Sequence, residues 1–191
     1  QRQMQPHKSQ LLRKVRAKRN LEAAWRIIQE NARTSKSADV RNEIDRFAED
    51  STRNLDRLYR ALQRGTFLFP PAKGIPIPKG GVKSASRDIR PIVLAPTESR
   101  VVQRAILNVL TDLPGLKPYV NNPHSFGGVR KESNGQLAAV PAAIASVLKA
   151  IEGGARYVMC ADITGFFTRI SKSAVSSIVS DAAKDNEFVT F

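Results

Sequence analysis

The sequence predicts an α+β chain: a basic helical N-terminal extension, a middle of short apolar runs cut by proline, and a last stretch in which one apolar strand leads into short helices. Three observations carry this. Apolar residues recur at helical spacing over 21–28 and 55–62. Four prolines, Pro70, Pro71, Pro76 and Pro78, break the runs 66–69 and 75–77, which confines them to short edge strands or extended segments. The run 157–163 is apolar, short and preceded by Gly153-Gly154, as a buried strand would be. The expected division is 1–65, 66–155 and 156–191.

Residues 1–20 hold Arg2, Lys8, Arg13, Lys14, Arg16, Lys18 and Arg19, with no acid before Glu22. Such an arm suits phosphate contacts, or is a solvated tail. Leu21, Ala24, Trp25 and Ile28 then define one helical face, which makes Trp25 a core anchor rather than a stacking platform. Val40, Ile44, Phe47 and Ala48 define a second helix. Leu55, Leu58, Tyr59 and Leu62 define a third, capped by Ser51 or Thr52 and closed at Gly65, where a left-handed residue is often required. Its outer face carries Arg53, Arg57, Arg60 and Arg64.

Beyond the prolines, 79–87 reads as a hairpin tip with basic side chains, and 92–95 as a buried strand ended by Pro96. Thr97 can cap a helix bearing Val101, Val102, Ala105, Ile106, Val109 and Leu110. A polar, glycine-containing loop covers 121–135. The next helix runs to about Glu152 with Val140, Ile144, Val147, Leu148 and Ile151 turned inward, and Pro141 either starts its regular part or kinks it. A helix over 173–184, capped by Ser171 or Ser173, follows the strand at 157–163.

The charge balance is 31 Lys and Arg against 17 Asp and Glu, a net +14. A pI near 10.5 points to a polyanion, nucleic acid above all. A single cysteine, Cys160, excludes an intrachain disulfide and a cysteine-rich zinc site. His7 and His124 are the only imidazoles, far apart in sequence. No apolar run is long enough for a membrane span, and no signal peptide pattern opens the chain, so no membrane partner and a cytoplasmic location are expected. The first residue, Gln1, suggests a trimmed or internal fragment.

Chemistry concentrates in one segment, Arg156-Tyr-Val-Met-Cys-Ala-Asp162-Ile-Thr-Gly-Phe-Phe167-Thr-Arg-Ile170. An apolar run ends on a lone carboxylate, followed by a turn and two aromatics. Oxygen ligands at a strand end suit a hard cation such as Mg²⁺. Alternatively, Asp162 caps the next turn.

The segment 161–170 resembles the first catalytic motif of reverse transcriptases, especially the bacterial types related to group II intron, retron and defence-associated enzymes. Two further blocks agree in order. Ile77-Pro78-Lys79, then Asp88-Ile89-Arg90-Pro91-Ile92 and Glu98-Ser99-Arg100-Val101-Val102-Gln103, resemble the family's fingers pattern "IPK … RPI … DRVVQ". His124-Ser125-Phe126-Gly127-Gly128-Val129-Arg130 resembles its "SYGFRPGRS" block. The likeness spans roughly 66–172.

The resemblance implies the fingers and start of the palm of a right-hand polymerase, behind a helical extension. It implies that Asp162 and the Ile163 carbonyl bind metal in a two-Mg²⁺ site that activates a primer 3′ hydroxyl and steadies pyrophosphate. Phe167, five residues after Asp162, would be the steric gate that excludes a ribose 2′ hydroxyl. Lys79 and Arg90 would hold the dNTP triphosphate, a guanidinium gripping two oxygens at once. Arg100 and Gln103 would support the fingers or touch the template, or form an ordinary surface pair. Phe126, Gly127, Gly128 and Arg130 would lie near the template, or the glycines would serve a structural turn. The implied partners are an RNA template, a DNA primer or product, dNTPs and a dedicated structured RNA.

The chain departs from the pattern in three places. Lys79 and Arg90 stand eleven positions apart, more than the family usually allows, so Lys83 or Arg87 could replace Lys79. Arg130 is shifted by one. No apolar-Asp-Asp hairpin follows Asp162, so the 191 residues alone are not expected to polymerise. A non-catalytic RNA-binding or assembly module, including maturase-type binding, is the alternative. An RNA-dependent RNA polymerase is disfavoured by Phe167. The long extension and lengthened link depart from the intron pattern and lean toward antiphage defence.

Overall fold

In a computed structural model, residues 9–35, 37–78, 89–127 and 139–191 are described. They are mostly helical, with one small two-stranded sheet. The chain divides into two compact units, residues 1–110 and 111–191.

The first unit opens with α1 (Gln10–Val15), whose first turn is capped by the Ser9 hydroxyl accepting from the Leu12 N–H at 2.9 Å. Helix α2 (Lys18–Arg33) follows almost at once. The predicted stripe Leu21, Ala24, Trp25 and Ile28 is buried, and Trp25 meets the Phe47 ring at a 4.6 Å centroid distance. Phe47 belongs to α3 (Ala38–Glu49), and α4 (Ser51–Arg64) follows. Both α3 and α4 pack on α2. The cap of α4 is Asp50, one residue ahead of the predicted Ser51 or Thr52; its carboxylate accepts from the Arg53 N–H at 3.2 Å. Gly65 ends α4 with φ of 66°, where an L side chain is disfavoured.

Strands β1 (Lys73–Pro78) and β2 (Ile89–Leu94) pair antiparallel, with Ile75 opposite Ile92 and Pro76 opposite Pro91. The run 66–69, expected as an edge strand or an extended segment, forms no strand. Helix α5 (Thr97–Thr111) buries Val101, Val102, Ala105 and Val109 as its spacing requires.

The second unit holds a 3-10 turn (Pro114–Leu116), α6 (Lys117–Val120), α7 (Ala139–Glu152), α8 (Phe166–Arg169), α9 (Lys172–Ala183) and α10 (Asn186–Thr190). A Cβ on Gly115 would stand 3.0 Å from the Ala182 Cβ and 3.1 Å from its Cα, so glycine here eases the close approach of α9 to the 3-10 turn. Of the two expected caps, Ser171 and Ser173, it is Ser171 that caps α9, accepting from the Ala174 N–H at 3.2 Å.

Two expectations fail in this unit. Helix α7 forms and stops at Gly153-Gly154, but Val140, Ile144, Val147, Leu148 and Ile151 are all at least half exposed. The run 157–163 belongs to no helix or strand, and Tyr157 and Met159 are 95% and 93% exposed. A strand exists only through a partner that takes its backbone hydrogen bonds; the only ladder among the described residues is the β1–β2 pair. Among these residues no helix is long and apolar enough to cross a membrane.

Candidate functional site

Asp162 lies in the irregular segment after α7, and its residue is exposed. The chain turns at Thr164-Gly165, where Gly165 takes φ of 65°, and then enters α8. Phe167 is the second residue of α8; Phe166 is its first. Ile163, whose carbonyl is the other expected oxygen donor, is 67% exposed. A carboxylate, a left-handed glycine and a short aromatic-bearing helix therefore follow one another within five residues.

Arg90 lies on β2 opposite Ile77, one pair in from the end of the ladder where Pro78 faces Ile89. Its backbone is thereby fixed beside the connection between the strands. Lys79, Lys83 and Arg87, the other expected phosphate cations, lie outside the described residues, as do Gly128 and Arg130.

Arg100 and Gln103 both sit on α5, with different surroundings. Gln103 is exposed. Arg100 is half-buried, and its Nη1 is enclosed with no hydrogen-bond partner among the described residues. Arg90, Arg100 and Gln103 belong to the first unit; Phe126, Gly127, Asp162, Ile163 and Phe167 belong to the second.

Phe126 and Gly127 follow a turn in which the Asn122 side chain accepts from the His124 N–H at 2.9 Å and its carbonyl accepts from the Ser125 N–H at 3.1 Å. A Cβ on Gly127 would meet nothing within 4 Å, and its φ is not left-handed. Among the described residues, neither crowding nor backbone conformation requires glycine there.

Sequence reasoning missed the residues that position α5. Glu43 on α3 accepts with one oxygen, Oε1, from the Thr97 backbone N–H at 2.7 Å and from the Thr97 hydroxyl at 3.0 Å. Thr97, expected as the cap, is instead the first helical residue and is itself capped from another helix. Asn20 donates to the carbonyls of Lys14, Val15 and Ala105, and accepts from the Asn108 amide at 2.9 Å. Asn108 in turn accepts from Arg104 Nε at 2.9 Å. The only advance signal was polar residues on otherwise apolar helix faces.

Between α2 and the first turn of α4 lies a cleft of about 330 Å³ with Lys18, Glu22, Arg26 and Asp56 at its rim. It contains none of the expected site residues, and its mixed charges suit neither a metal nor a phosphate. Lys18 Nζ sits 2.6 Å from Asp56 Oδ1 and 5.1 Å from the centre of the Tyr59 ring. The hydrogen bond from Lys18, then its charge, holds the Asp56 carboxyl below its ordinary value; the same bond raises Lys18.

The donor chemistry at 162–163, a carboxylate beside a carbonyl, fits a hard cation such as Mg²⁺. Two oxygens are fewer than such an ion needs, and among the described residues no group of three or more His, Cys, Asp or Glu is gathered to hold a metal. No protein-family model matches the chain, and no curated protein matches it.

Proposed function

We propose that this chain is the fingers and beginning of the palm of a reverse transcriptase, with Asp162 as a metal carboxylate of the polymerase site. The observation that carries the reading is the string 161–170 in its local setting. An exposed carboxylate stands just ahead of a left-handed glycine, and the next turn of helix carries Phe167. The order of the other two blocks and the net charge of +14 support it.

In this reading Asp162 and the Ile163 carbonyl hold Mg²⁺, which supplies charge neutralisation at the phosphoryl group being transferred. Arg90 grips the triphosphate of the incoming dNTP from β2, and Lys79 is the second cation of that clamp. Phe167 presses on the sugar and shuts out a 2′ hydroxyl. Template RNA and primer DNA are the macromolecular partners, and antiphage defence is the setting toward which the long extension leans.

Primer extension tests the assignment. In a protein that carries this chain followed by a Tyr/Phe-x-Asp-Asp hairpin, Asp162→Ala abolishes dNTP incorporation and Phe167→Ala admits rNTPs. Unchanged synthesis in the first variant removes Asp162 as a ligand; unchanged sugar discrimination in the second dismisses the gate. The 191 residues alone hold Asp162 as the only matched carboxylate, so they incorporate nothing. A second reading, a basic RNA-binding module without catalysis, is favoured by the arginine-rich helices. It wins if the complete protein binds RNA and extends no primer.

A further inference from the structure

The first unit carries a charged surface that the polymerase reading leaves unused. Arg53, Arg57, Arg60 and Arg64 recur along α4 at intervals of four, three and four. At 3.6 residues per turn these positions fall within an arc of about 60° and span about 16 Å of helix. The opposite side of α4 holds Leu58 and Leu62, 3% and 5% exposed. Burial of that side fixes the direction of the other, and all four arginines are exposed.

Little nearby charge cancels this stripe. Asp56 is the single acid on α4; Lys18 engages it directly, and the Arg60 charge acts on it more weakly. Arg57 Nη2 meets Glu98 Oε1 at 3.1 Å, but Arg57 is two-thirds exposed and the pair competes weakly with a phosphate. Among the described residues no acid forms an ion pair with Arg53, Arg60 or Arg64. Four guanidiniums about 5–6 Å apart along one helix face form a ladder for successive backbone phosphates.

Two aromatics, Phe67 and Phe69, follow Arg64 by three and five residues in the chain. After Gly65, the Thr66 N–H and hydroxyl both donate to the Ala61 carbonyl, at 3.0 and 3.3 Å, and tie the exit of the chain to the last turn of α4. Phe67 and Phe69 follow, with ring centroids 5.0 Å apart in an edge-on arrangement. Phe67 braces Phe69, which remains 44% exposed. Cations that track a backbone, next to an aromatic on which a base can stack, are the chemistry of single-strand binding.

We infer that the arginine face of α4 and Phe69 form a track for single-stranded nucleic acid that uses none of the residues assigned to the polymerase site. The guanidiniums hold phosphates and the Phe69 ring stacks on a base. A duplex fits less well, because its bases are already stacked on one another and present no open face to the Phe69 ring. A lipid surface fits less well, because a helix that lies in a membrane interface inserts its apolar face, and that of α4 is spent on the core of the unit. The track needs neither dNTP nor metal, so it stands independently of the role given to Asp162.

Fluorescence anisotropy on the 191-residue chain in EDTA tests it. The probes are labelled oligouridylate and oligothymidylate, with a duplex RNA and phosphatidylserine vesicles as comparators. The single strands are expected to bind best. Combining Arg53→Gln, Arg60→Gln and Arg64→Gln should reduce the slope of log affinity against log salt by about 2. The matching three Arg→Lys changes should retain the slope, which separates charge loss from misfolding. Phe69→Ala should weaken binding about tenfold or more at unchanged slope, with Phe69→Tyr restoring it. Affinity and slope unaltered by the glutamine changes overturn the track, as does equal or better binding of duplex or vesicles with no effect of Phe69→Ala. Any of these failures leaves the primer-extension test of Asp162 untouched.

Discussion

Glu43 shows how one side chain can set the position of a whole helix. The first N–H groups of a helix lack intrahelical acceptors, and α5 meets this need with an oxygen from α3. Thr97 is 2% exposed, so water cannot substitute. Glu43→Ala is therefore expected to lower the stability of the first unit by about 0.5–2 kcal/mol, the range for losing a helix cap. Glu43→Gln, which keeps an acceptor oxygen, should lose less. Urea melts decide, and an alanine variant with an unshifted midpoint would sink the claim. Nothing local revealed this contact, because Glu43 and Thr97 are 54 residues apart. The same holds for Asn20, whose role depends on where the Ala105 carbonyl falls. Asp162 differs: it was singled out from the string 161–170 alone, and the strand expected to lead into it does not form.

Helices α2 and α4 are tied by Lys18 and Asp56, and the tie has a pH window. The Asp56 carboxyl is depressed from its ordinary 3.8, so its contribution is present above that value and is lost as pH falls through the lower folded one. Lys18 is raised from 10.5, so its contribution is present below that value and is lost as pH climbs through the higher folded one. Asp56→Asn should reduce thermal stability slightly at neutral pH, and the difference from the parent should close in strong acid. A difference that persists there would assign the effect to packing. The stripes of α2 and α4 were legible because periodicity identifies the apolar face and a neighbouring helix buries it. Periodicity misleads at α7 for the same reason: it says which residues are apolar, not whether anything covers them. The run 157–163 fails as a strand because apolar composition cannot supply a hydrogen-bonding neighbour.

The whole molecule joins a unit with a packed helical core to one with a thin core. In the second unit Val140, Ile144, Val147, Leu148 and Ile151 of α7, together with Val158 and Val175, are open to solvent. Exposed apolar surface on this scale takes up hydrophobic dyes. The native chain should enhance ANS fluorescence, and Ile144→Asp combined with Leu148→Asp should reduce it. No enhancement before the thermal transition would mean that this surface is covered in solution. The candidate site shows the limit of sequence at this scale. A metal site gathers groups from distant parts of a chain, and a motif reports one of them.

The facing prolines of the hairpin have a consequence for how the chain associates. Pro76 and Pro91 are partners, and neither has an N–H to give. Their pair is therefore the kind whose backbone groups point away from the ladder, and Pro78 repeats that orientation two residues on. The outer side of β1 thus lacks a donor at both 76 and 78, and the outer side of β2 lacks one at 91. A third strand laid against either side would find gaps where it needs hydrogen bonds. Three missing donors blunt both edges of the hairpin against lateral growth into a larger sheet or a fibril.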